Sequence, residues 1–152
     1  MKSEIPLDTA TPRAHTAQLT ASPKGASIGR RIARQQLTAW GLNSIAAETF
    51  HSALLVIAEL AANASTHGRV PGRGFELALR LVDRSPGGAT LRIEVSDCRG
   101  DRHPTVPASC AAHAQSGRGL TLVGALADRW GSIPRHPNAK TVWAELDLPH
   151  AA

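Results

Sequence analysis

Apolar and polar positions along this chain change period several times, and each change marks an element. From about Lys24 to Trp40 the residues Ile28, Ile32, Ala33, Leu37, Ala39 and Trp40 fill one half of a helical wheel, while Arg30, Arg31 and Arg34 fill the other. Ser22-Pro23 supplies a capping hydroxyl and a proline at the first helical position, and Gly41 a stop. A second helix is predicted from a cap at Asn43 or Ser44 to about His67, before Gly68. Its core-facing stripe is Phe50, Leu54, Ile57 and Ala61.

The period then shortens to two. Phe75, Leu77, Leu79 and Leu81 alternate with Glu76, Ala78, Arg80 and Val82, and Leu91, Ile93 and Val95 alternate with more polar neighbours. The turn Ser85-Pro86-Gly87-Gly88 lies between them, so the two runs read as a hairpin with one wet face. Cys98 to Ser116 reads as a long loop of the kind used as a lid. Gly117-Arg118-Gly119 opens a third helix over roughly Leu120 to Asp128. Strands follow at Trp130–Arg135 and Thr141–Leu148, the last with Val142, Ala144, Leu146 and Leu148 on one face, and His15–Ala21 is a candidate first strand. The expected fold is α/β: a two-layer sandwich with a mixed, mostly antiparallel sheet and about three helices on one face. Residues 15–149 form the expected domain, with 1–14 and 150–152 as tails.

Composition narrows the function. The 152 residues carry 17 Lys+Arg against 12 Asp+Glu, a net +5. Residues 1–21 are balanced, residues 22–47 hold Lys24, Arg30, Arg31 and Arg34 with no acid, and the rest are nearly neutral. The excess is therefore one arginine face on the first helix, read either as a plain solvated face or as a docking surface for an acidic protein partner, and not a field spread for nucleic acid. With 3% aromatic residues, base-stacking platforms are excluded. Met1–Ala10 lacks the apolar run of a signal peptide, and the longest apolar stretch, Leu54–Ala62, is short and interrupted by Glu59. Two cysteines, Cys98 and Cys110, do not make a secreted framework, so a cytoplasmic protein is expected.

Three features do not fit a plain core. Glu59 and Asn63 stand at i, i+4 on one face of an otherwise apolar helix, where a carboxylate and an amide need partners. Asp97 has the parity of Leu91, Ile93 and Val95, so it points toward the helix layer, where it needs donors such as the amino group of a bound base. Gly117-Arg118-Gly119 lets backbone N–H groups approach an anion at a helix start. Taken singly, each also reads as a polar stripe, a turn aspartate and an ordinary helix start.

Their order resembles the GHKL (Bergerat-fold) ATPase superfamily, and within it the anti-sigma regulatory factors, the serine-protein kinases of bacterial partner switching. Glu59-Leu60-Ala61-Ala62-Asn63-Ala64-Ser65-Thr66-His67-Gly68 is similar to the family's N box, and Ser116-Gly117-Arg118-Gly119-Leu120 with Val123 to its second glycine box. Ala127-Asp128-Arg129-Trp130-Gly131 and Lys140-Thr141-Val142-Trp143-Ala144-Glu145-Leu146 are similar to the closing segment of this branch. The resemblance implies Mg-ATP binding. Glu59 corresponds to the base that deprotonates the attacking hydroxyl, and Asn63 to the Mg²⁺ ligand. Asp97 corresponds to the reader of the adenine amino group, and Gly117, Arg118, Gly119 and Leu120 to the phosphate-facing lid end. Thr141 corresponds to a threonine supporting the adenine pocket. It further implies a sigma factor or anti-anti-sigma partner and, as is common in the family, a homodimer.

One motif departs from the family. Its pattern has glycines two and four residues after the aspartate. Here Asp97 is followed by Cys98-Arg99-Gly100-Asp101, so Gly100 is one place late and the second glycine is missing. A nucleotide-binding regulator that works by protein contact, without phosphotransfer, therefore stands as the alternative. Cys98, His103, Cys110 and His113 do not have the spacing of a common zinc finger.

Overall fold

The computed structural model describes residues 13–66, 74–84, 86–97, 120–135 and 139–149. Strand β1 (Arg13–Thr20) leads into helix α1 (Pro23–Ala39), the short α2 (Leu42–Ile45) and the long α3 (Ala47–Thr66). Strands β2 (Gly74–Asp83) and β3 (Ala89–Asp97) form the hairpin; helix α4 (120–126) precedes β4 (Arg129–Arg135) and β5 (Ala139–Leu148). The five strands lie in the order β1-β2-β3-β5-β4, and the four pairings are all antiparallel. The expected α/β sandwich is the fold found.

Local chemistry sets the boundaries. Ser22 caps α1 by accepting a 3.0 Å hydrogen bond from the Gly25 N–H, with Pro23 behind it. A Cβ on Gly25 would stand 1.8 Å from the Thr20 carbonyl oxygen, so the tight passage from β1 into α1 requires glycine there. The stretch expected as one helix to His67 is two. Gly41, at φ 86°, leads into α2, and Ala46 at φ −150°, ψ 64° breaks the ladder before α3 starts. Asn43 and Ser44 thus lie inside α2 and not at its cap. β1 starts at Arg13, inside the expected tail, because Arg13 and Ala14 pair with Leu81 and Arg80.

The core lies between sheet and helices. Leu77, Leu79 and Leu81 of β2, Leu91, Ile93 and Val95 of β3, and Ala144, Leu146 and Leu148 of β5 are all buried. From the helix layer, Ala33 and Leu37 of α1 and Phe50, Ala53, Ile57, Leu60, Ala61 and Ala64 of α3 meet them. Leu54, expected in the α3 stripe, is only half-buried, and Ala39 of α1 is exposed, because those flanks of the helices turn away from the sheet. Each fully buried Leu or Ile removes enough apolar surface from water to favour folding by about 2 kcal/mol. No helix among the described residues is long and apolar enough to cross a membrane.

The other sheet face is held by charge. Arg92 bonds Glu94 (2.6 Å) and Glu145 (2.9 Å) and stacks 4.5 Å from the Trp143 ring. Arg129 bridges Glu145 (2.9 Å) and Asp147 (2.6 Å), and Thr90 donates to Asp147 (2.9 Å). Burial pulls the Glu145 carboxyl upward, but its hydrogen bonds to Arg129 and Arg92 outweigh this and hold it below the ordinary 4.5. Asp147 is lowered from 3.8, chiefly by its bond to Arg129. Because both values fall on folding, the network's stabilisation is present above the unfolded-state range near pH ~4 and lost as pH falls through the lowered folded values. The melting temperature should therefore drop between pH ~5 and ~2, and the double variant Glu145→Gln, Asp147→Asn should show a shallower drop. Equal slopes in thermal melts followed by circular dichroism would reject this role.

Candidate functional site

Asp97 ends β3 on the row of Leu91, Ile93 and Val95 and is 6% exposed. Its cross-strand neighbour on β5 is Lys140, 7% exposed, whose Nζ lies 3.3 Å from Asp97 Oδ2. A buried carboxylate on the core side is thus met by a buried ammonium. Lys140 was not among the residues singled out from the sequence. A signal for it existed, since it continues the parity of Val142, Ala144, Leu146 and Leu148.

Thr141 lies elsewhere. The β3–β5 register sets it opposite Ser96, and their hydroxyls share a 2.7 Å hydrogen bond. Both alternate with Asp97 and Lys140, so Thr141, fully buried, projects from the opposite sheet face. The structure does not bring Thr141 and Asp97 together; it brings Lys140.

Glu59 and Asn63 are half-buried on α3, which packs over β2, β3 and β5. By helical geometry they sit together on the edge of the core stripe that carries Val56. Ser65, one turn from the helix end, is buried and donates to the Ala62 carbonyl at 3.1 Å. Leu120 and Val123 anchor α4, at 8% and 0% exposure. Gly100, Gly117, Arg118, Gly119, Cys98, Cys110, His103 and His113 lie outside the described residues, as does His67.

The opposite flank of α3 faces α1 across a cleft of about 540 Å³. Arg30, Arg31 and Arg34 line one wall; His51, Leu54, Leu55 and Ala58 line the other. The Arg34 guanidinium lies 5.8 Å from the centre of the Phe50 ring, and Leu55 is 51% exposed. The arginine face expected on the first helix is therefore not a bare charged surface. It is the rim of a partly apolar groove.

A half-buried Glu and Asn on one helix edge and a strand-end Asp inside a two-layer sandwich agree with a match to one protein family. The model of the histidine kinase-like ATPase domain matches residues 21–146. The chain belongs to that family. No curated protein matches it. Among solved structures, this ATPase domain is similar to the RsbU and RsbW domains of Rv1364c from Mycobacterium tuberculosis, with a TM-score of 0.62 and 16% identity. The similarity covers 91% of this chain and 34% of that one, so the chain spans about a third of the larger protein's length. At that identity the likeness is one of fold. The family implies nucleotide binding, generally with Mg²⁺.

The register carries its own test. Thr141→Val should lower stability by about 1 kcal/mol, by removing the bond to Ser96, and leave nucleotide affinity unchanged. A loss of affinity in calorimetric titration without loss of stability would return Thr141 to the pocket.

Proposed function

We propose that this ATPase domain is a cytoplasmic, Mg-ATP-binding regulator of the anti-sigma type, which phosphorylates or sequesters a protein partner, an anti-anti-sigma factor or a sigma factor. The observation that carries the reading is the pairing of the family match with Asp97, a buried carboxylate ending a core-facing row and able to accept from a base amino group. Asn63 supplies a hard amide oxygen of the kind Mg²⁺ takes, and Glu59 stands beside it at the same helix edge. Among the described residues no three His, Cys, Asp or Glu side chains gather around a common point. This donor set suits an ion that arrives with the phosphates and takes one amide from the protein.

In the proposed mechanism Asp97 orients the base, and Asn63 holds the ion's place beside the phosphates. Glu59 accepts the proton of the partner's serine or threonine hydroxyl at its carboxylate. When bound, Mg²⁺ supplies neutralisation of phosphate charge. What the residues contribute is positioning and electrostatics, the main requirements of phosphoryl transfer. The displaced Gly100 favours a second reading, nucleotide binding without transfer.

Two experiments test the reading. Calorimetry should show Mg-ATP binding that Asn63→Ala abolishes with the fold intact, while Glu59→Ala keeps binding and stops transfer of labelled phosphate to a small anti-anti-sigma partner. Absence of wild-type binding at millimolar Mg-ATP would refute the site. Binding without transfer in the wild type would select the second reading.

For the partner, we propose the groove of Arg30, Arg31, Arg34, Leu54 and Leu55 as the contact, matched by an acidic segment with apolar residues. Arg30→Glu with Arg34→Glu should weaken partner capture roughly tenfold or more without changing nucleotide affinity. Undiminished capture would move the contact elsewhere.

A further inference from the structure

The groove between α1 and α3 carries charge that its own walls leave unanswered. Arg30, Arg31 and Arg34 are exposed along one wall, and no carboxylate lines the cleft. Among the described residues none of these three guanidiniums forms an ion pair, and Arg34 rests against the Phe50 ring. The other wall is apolar, with Leu54 half-buried and Leu55 exposed. Three cations facing an aliphatic strip suit a short segment that brings carboxylates on one side and aliphatic side chains on the other.

The chain itself holds such a segment. Residues 1–12 precede β1 and lie outside the described residues. Within them, Glu4-Ile5-Pro6-Leu7-Asp8 alternates acids and aliphatics and contains no base. Pro6 disfavours a helix through its middle, and in an extended strip successive side chains point to opposite sides. Glu4 and Asp8 then share one side, Ile5 and Leu7 the other. That alternation matches the two walls of the groove.

The segment can also reach it. Gly25 lies against Thr20 and Gly29 against Leu19, so α1 runs back along β1 and Arg13 stands beyond Arg34, toward the C-terminal end of the helix. The chain from Asp8 to Arg13 can span up to ~17 Å, and from Glu4 up to ~30 Å. Helix α1, which it must pass, is about 10 Å across.

We propose that Glu4–Asp8 docks in the α1–α3 groove of its own chain, with Glu4 and Asp8 toward the arginines of α1 and Ile5 and Leu7 toward Leu54 and Leu55 of α3. Exposed ion pairs hold weakly, so the aliphatic side chains supply the main attraction and the charges set the orientation. A short tether keeps the segment at roughly millimolar local concentration, and modest affinity suffices to fill the groove. The consequence rests on the partner contact proposed above: an acidic partner enters the groove only by displacing this internal competitor.

A fluorescein-labelled peptide of residues 1–12, followed by anisotropy against the full chain, tests the docking without any partner. The full-chain variant Glu4→Arg, Asp8→Arg leaves the groove open and should bind the peptide about tenfold or more tightly than the wild type does. Adding Arg30→Glu and Arg34→Glu to that variant should weaken the peptide by a similar factor, and a peptide with Glu4→Arg and Asp8→Arg should then bind in its place. No binding to the tail variant, or equal binding to the tail variant and the wild type, overturns the inference. Peptide binding that survives reversal of the arginines overturns it too, by placing the segment elsewhere. If sedimentation shows wild-type dimers that the tail variant lacks, the occupant is the segment of a second copy and docking within one chain is overturned. In each of these cases the partner contact still stands or falls on capture by Arg30→Glu, Arg34→Glu alone.

Discussion

The register between β3 and β5 is the constraint on which the rest of this molecule depends. These strands sit near the middle of the sheet, and their pairing decides every cross-strand neighbour on both faces. Leu91 meets Leu146 and Ile93 meets Ala144 on the core side; Arg92 meets Glu145 and Ser96 meets Thr141 on the other. A slip of one residue would turn the apolar row to the wet face and put the charges into the core. Burial of that row therefore locks the register, and the locked register places Lys140 on Asp97. The chemistry at the strand end follows from the packing in the middle of the strand.

The two sheet faces divide the work. One is apolar along the facing rows of β3 and β5 until their last pair, where a buried ion pair replaces packing with electrostatics. The other is a lattice of Arg92, Arg129, Glu145 and Asp147 that ties β3, β4 and β5 together. Bidentate and shared guanidinium contacts of this kind hold better than isolated surface pairs, because each arginine is already fixed by one partner when it meets the next.

Helix α3 divides its surface in a similar way. Its core stripe packs on the sheet; one flank carries Glu59 and Asn63, and the other, with Leu54 and Leu55, forms a groove with the arginines of α1. Nucleotide chemistry and partner contact are thus proposed on opposite flanks of one rigid helix.

Much of this was legible in the residues themselves. Period-two runs identified the hairpin and its buried side, Ser22-Pro23 located the start of α1, and parity turned Asp97 inward. These are local properties, written in the alternation of neighbours along one segment. The break at Ala46 escaped, because a single residue leaving the helical region changes no hydrophobic pattern. The arginine face was visible as a charge imbalance, but the groove needed α3 laid beside α1. Thr141 was assigned by motif similarity, and its place on the far face emerged only from pairing with Ser96. The sequence by itself determined which residues could be buried, charged or capping. The tertiary structure alone decided who meets whom, since partners such as Asp97 and Lys140 are separated by a long stretch of chain and joined only by strand register.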